Sequence, residues 1–153
     1  MKVTITKDTK GWDKLKKNLL QLDKNELHVG WFDTSYGSEN DNLAHAQVAQ
    51  WNEEGTITSP ARPFMRSGFN DAIKSGSNDQ DFRNIINAVL SGKSSLVALK
   101  ASGSAFAATL KETMKQWSSP PNAPSTVAQK GFNDPLNETG ELINNVSFEV
   151  GRK

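Results

Sequence analysis

The stretch 93–117, KSSLVALKASGSAFAATLKETMKQW, decides the fold. Leu96, Leu99, Phe106, Leu110, Met114 and Trp117 recur in it at near-heptad intervals, with Gly103 where the series would otherwise continue. That spacing gathers them on one side of a long helix. Such a stripe is core or helix–helix packing far more often than a cofactor box. Gly103 lets another backbone approach closely, at a helix cost of about 1 kcal/mol relative to Ala. Three alternating segments read as strands: Val3 with Ile5, then Leu27, Val29 and Trp31, then Val146, Phe148 and Val150. The expected fold class is α+β. Strands 3–5, 27–32 and 146–150 form one small, mainly antiparallel sheet with the 93–117 helix packed on it, so Phe106→Ala is expected to cost roughly 3–5 kcal/mol.

Shorter helices surround this frame. Trp12, Leu15, Leu19 and Leu22 mark an amphipathic helix over 11–22. The segment 33–42 is polar and reads as a mobile loop. Ala44, Val48 and Trp51 mark a second helix, with Asp41 or Asn42 as cap and Gly55 as stop. Phe64, Gly68, Phe69, Ala72 and Ile73 share a third face, and Phe82, Ile85, Ile86, Val89 and Leu90 a fourth, in a helix that starts at Asp79. Five of the six prolines lie in two segments, 59–66 and 120–126, and these read as rigid corners because proline lacks a donor and fixes φ. The second corner opens a long loop, 118–138, in which Ser125 can cap a turn over Thr126 to Lys130 ended by Gly131. Length predicts one domain over 1–153.

Composition narrows the function. There is no cysteine, hence no disulfide framework and no thiolate metal site or nucleophile. The N-terminus has no apolar leader and no run is long enough to span a bilayer, so synthesis in a cytoplasm is expected, with no membrane partner. The net charge of +1 hides a split: residues 1–24 carry seven Lys and three Asp, whereas residues 25–61 carry six acids and no Lys or Arg. A surface that grips DNA usually has a basic excess, which this chain lacks. The split reads either as solvated faces or as a basic face of one copy meeting an acidic face of the next.

No catalytic signature stands out. His28 alternates with core residues and reads as a satisfied structural histidine. His45 precedes Glu53 and Glu54 on a helix, but the paired histidines of a metalloprotease are missing, and so are nucleophile-elbow and phosphate-loop motifs. The expectation is no enzyme, no metal site and no cofactor. The four tryptophans lie on apolar stripes, which favours core or interface packing over base stacking. For Arg62, Phe64 and Arg66 two readings stand: a corner anchored by Phe64 with surface arginines, or a subunit contact.

Three segments, in this order, resemble the tail-completion (neck, or head–tail joining) proteins of long-tailed bacteriophages. They are Val29-Gly30-Trp31-Phe32 followed by Ala44 to Gly55; Pro60-Ala61-Arg62-Pro63-Phe64-Met65-Arg66; and Pro121 to Thr126 through Lys130-Gly131 to Pro135-Leu136-Asn137-Glu138-Thr139-Gly140-Glu141-Leu142. In that family a "VG" strand leads into a helix ending Asn-Glu-x-Gly, then an "ARPF" corner, a "P-x-x-x-S-T" loop and a "PL-x-x-TG-x-L" turn before a final strand. The likeness covers most of residues 27–150. Asn137 and Glu138 depart from it, standing where the family often has an aliphatic residue and Asp.

The resemblance implies a non-enzymatic virion subunit that forms a ring, expected to be hexameric, between capsid connector and tail. Its partners would be further copies of itself, a stopper or adaptor ring, and a tail terminator or tail tube, with genomic DNA passing through the lumen without sequence-specific contact. The expected interface residues are Arg62, Pro63, Phe64 and Arg66 on the first corner, and Pro121, Pro124, Ser125, Thr126 and Lys130 on the second. The loop 118–138 is expected to order on docking. Alternative readings are a nucleic-acid-binding module, or a morphogenesis factor absent from the mature particle.

Overall fold

The computed structural model describes residues 9–74 and 77–153. In chain order the described elements are α1 (Lys10–Asp23), β1 (Asn25–Gly30), α2 (His45–Glu54), α3 (Phe64–Lys74), α4 (Ser77–Leu90), α5 (Ser95–Lys115), α6 (Pro124–Lys130), α7 (Glu141–Asn144) and β2 (Ser147–Arg152), with a 3-10 turn at Ser38–Asn40. The fold is α+β. The strands pair antiparallel in the register Leu27↔Val150 and Val29↔Phe148, so these four side chains share one face of a two-stranded sheet. The expected strand at 3–5 lies outside the described residues. No helix among the described residues is long and apolar enough to cross a membrane.

Helix α5 lies against both strands and against α1, α3, α4 and α7. Its buried positions include Leu99, Gly103, Ala107, Leu110 and Met114, most of the face expected from the spacing. Gly103 meets side chains of the sheet instead of another backbone. A Cβ there would fall 2.4 Å from Cδ2 of Phe148 and 2.7 Å from Cδ1 of Leu27, one contact to each strand. Gly103→Ala gains about 1 kcal/mol of helix propensity but overpacks this seam, for a net loss of about 1–3 kcal/mol. A urea melt checks the sign, and a stabilised variant would mean that the sheet retreats freely.

Several expectations need correction. Phe106 is only half-buried, beside Phe69 at the mouth of an apolar groove, so its truncation costs less than the full-burial figure. His28 is exposed, on the sheet face opposite α5, where its Nε2 lies 3.0 Å from Oε1 of Glu26. Among the described residues there are two strands and one helix layer, and that face stays open. Helix α1 is rolled relative to its apolar stripe. Asn18 is buried and donates from Nδ2 to the Lys93 carbonyl at 2.8 Å, whereas Trp12 is 67% and Leu19 46% exposed. Helix α4 begins at Ser77, ahead of the expected Asp79. Within 118–138 the expected local turn forms, and only its cap differs. That turn is α6, which starts at Pro124 with Ala123, not Ser125, at the cap position and ends at Gly131 as expected.

Candidate functional site

The two proline corners meet. Arg62 is buried, and its planar fork reaches across from the first corner to the second: Nε donates to the Pro120 carbonyl at 3.1 Å and Nη2 to the Pro121 carbonyl at 3.1 Å. Nη1 donates to Oδ1 of Asn52 at 3.4 Å, and the Arg62 backbone N–H donates to the Asn52 carbonyl at 2.6 Å. Burial lowers the pKa of the guanidinium from its ordinary value.

The start of α3 is closed by the neighbouring residue of α2. The first N–H groups of a helix lack intrahelical acceptors. Here Phe64 N–H donates to the Arg62 carbonyl at 2.7 Å, Met65 N–H to Oε2 of Glu53 at 2.8 Å and Arg66 N–H to Oε1 of Glu53 at 3.1 Å. A carboxylate at this position also opposes the positive end of the helix dipole. Gly55 permits the sharp exit from α2 with φ +78°, and a Cβ there would lie 2.7 Å from the Ala61 nitrogen. The Asn-Glu-x-Gly end of α2 and the Ala-Arg-Pro-Phe corner are therefore two halves of one joint.

The remaining motif closes on the same core. Trp31 Nε1 donates to the Leu142 carbonyl at 2.7 Å, and its ring meets Phe64 edge-on with centroids 6.1 Å apart. Leu136, Leu142, Ile143 and Val146 complete that cluster. Lys130 Nζ donates to the carbonyls of Asp134, at 2.8 Å, and Asn137.

This joint reassigns part of the expected interface. Phe64 is 0% exposed and Arg62 is spent on carbonyls, so in this conformation neither offers a contact surface. Pro63, Thr126 and Lys130 are half-buried, and Arg66, Pro121, Pro124 and Ser125 are exposed. The surface arginine of the first corner is Arg66 alone.

Beside the joint lies a cleft of about 370 Å³ whose lining includes Tyr36, Asn122, Lys130, Glu138 and Glu141. The loop 33–42, expected to be mobile, is tied at its base by Tyr36 N–H to the Leu43 carbonyl, 2.9 Å, and His45 N–H to the Thr34 carbonyl, 3.1 Å. That closure sets the Tyr36 ring against His45, with centroids 4.3 Å apart and the planes tilted by 42°. His45 is 1% exposed, neither ring nitrogen has a hydrogen-bond partner, and Nε2 lies 3.7 Å from Oε2 of Glu141. Burial foremost, then the charges of Glu141 and Glu138, raise the Tyr36 phenol above its ordinary pKa. His45 thus faces Glu141, whereas Glu53, its neighbour along the helix, is committed to α3. Among the described residues no three His, Asp or Glu side chains group as a metal set.

A second groove, about 620 Å³, runs along α1 between Lys17, Lys24, Arg152 and Leu96. No family model, curated protein or solved structure matches this chain.

Proposed function

We propose that the protein is a structural subunit of a bacteriophage neck, a ring of identical copies joining the capsid connector to the tail around the DNA channel. The observation that carries this reading is the surface left uncovered. The chain exposes 10508 Å². A compact monomer of 16.8 kDa exposes about 7,700 Å². A ring subunit needs two interface patches of about 800 Å² each, one for a neighbour on either side. Large apolar side chains stand in that surface, among them Trp12, Trp51, Phe69, Phe82 and Leu90.

The internal chemistry agrees with a scaffold. The polar groups of the resembling motifs (Asn52, Glu53, Arg62, Lys130) hydrogen-bond to the chain itself and hold its corners rigid. Rigid corners lower the ordering cost of assembly. Native mass spectrometry of the purified chain is expected to give a closed multiple of 16.8 kDa, six copies being the expected ring, and electron micrographs should show a central hole. A chain that stays monomeric alone and in purified particles' extracts would remove this reading.

A second reading, a nucleic-acid-binding module, draws on Lys17, Lys24 and Arg152 along the α1 groove. A mobility shift that persists at moderate salt would favour it.

A further inference from the structure

Resting on the ring reading above, we infer that the contact between neighbouring copies is head-to-tail: the uncovered face of α1 docks on the acidic cleft around Tyr36, Glu138 and Glu141 of the next copy. Three observations lead there. Trp12, Lys16, Leu19 and Leu20 share one side of α1 and all are exposed. The helix spacing built an apolar stripe for burial, and among the described residues much of it is left open. Around the stripe the charge is basic, Lys10, Lys14, Lys16 and Lys17 against Asp13 and Asp23.

The cleft is complementary in sign and has spare polar capacity. Glu138 is exposed and Glu141 half-buried, and both act on the Tyr36 hydroxyl. The cleft's own cation, Lys130, is turned onto the carbonyls of Asp134 and Asn137, which leaves the two carboxylates to an incoming charge. Behind Glu141 stands His45, buried with both ring nitrogens unpartnered, and the buried Asn122 amide nitrogen in the cleft wall is also without a partner.

The two surfaces cannot meet within one chain. Helix α1 is fastened beside the first turn of α5, through Asn18 to Lys93 and by the groove it shares with Leu96. The cleft is fastened at the other end, through Lys111 of α5 to the Asn144 carbonyl that closes α7, 3.1 Å. From Leu96 to Lys111 the helix α5 rises over fifteen residues, about 23 Å. Unlike faces at opposite ends of a rigid rod generate a heterologous contact, which closes into a ring when the rotation between copies allows it.

The test is a charge swap read by sedimentation velocity and native mass. Lys16→Glu with Lys17→Glu makes both faces acidic, and Glu138→Lys with Glu141→Lys makes both faces basic. Each variant alone is expected to weaken self-association about tenfold or more, whereas a one-to-one mixture assembles again because every α1 then meets a cleft of opposite sign. Glu138→Lys alone, on an exposed turn, is the milder variant and should weaken assembly while the thermal melt stays at the wild-type value. If the wild type is oligomeric and both variants remain so, or if the mixture does not reassemble, this contact is overturned and the ring reading stands. A wild type that is monomeric at every concentration overturns both.

Discussion

Replacing Arg62 with leucine is expected to remove about 3 kcal/mol of folding stability, because it leaves the carbonyls of Pro120 and Pro121 in the joint without their donor. Hydrogen bonds from a charged donor contribute about 1.5–3 kcal/mol each, and an unpaired buried acceptor keeps its desolvation cost when the donor is gone. Against this stands the cost of burying the guanidinium, which leucine avoids, so the net loss is set nearer one such bond than the sum. Arg62→Lys should recover only part, since an ammonium supplies a point charge but not a planar fork aimed at two carbonyls. The loss should be the same from pH 5 to 9, because the guanidinium, although its pKa is lowered by burial, stays protonated throughout. Urea denaturation of the isolated subunit measures it. A loss below about 1 kcal/mol, with assembly nonetheless abolished, would return Arg62 to the subunit interface.

What was legible in the sequence is what local periodicity encodes. The stripe from Leu99 to Met114 gave α5 its buried face, and the alternation of Leu27 with Val29 and of Phe148 with Val150 put four side chains on it. Gly55 and Gly131 ended helices where expected. The errors came from information that is not local. The apolar stripe of α1 predicts burial, but which side is covered depends on where the helix is fastened, and the Asn18 bond to Lys93 spans 75 residues. His28 was read as a satisfied structural histidine because alternation reveals two faces without saying whether both are covered. Glu53 caps a helix that begins eleven residues later, beyond the three-residue spacing by which a capping box is recognised. The pairing of His45 with Glu141, and of Arg62 with Pro120 and Pro121, likewise joins segments far apart in the chain. Sequence marked the two proline corners as rigid but did not place them side by side, and the bonds that link them could not be inferred from it.

Phe64→Ala is expected to be the most damaging single truncation, about 3–5 kcal/mol, and to act on the monomer before any assembly takes place. The ring is 0% exposed, so the whole side chain contributes burial, and the space it would vacate is walled by groups that cannot easily move. On one side is Trp31, held by its own bond to the Leu142 carbonyl and meeting Phe64 at an interplanar angle of 83°. An edge-to-face pair of this kind adds about 0.5–1.5 kcal/mol beyond area, and it is lost as well. On the other side the backbone at Phe64 is fixed between Pro63 and the Glu53 cap, which prevents α3 from sliding inward to fill the void. Phe64→Leu should restore most of the volume and cost less than half as much. Phe69→Ala is the informative contrast, since Phe69 is 55% exposed on the same helix and should leave monomer stability within about 1 kcal/mol. If Phe69 instead belongs to a covered surface, its loss will show in the oligomer and not in the melt. Chemical denaturation of the three variants, with near-ultraviolet dichroism following the Trp31 environment, separates the cases. A Phe64→Ala subunit that melts like wild type but fails to assemble would mean that the aromatic serves a neighbour and not this core.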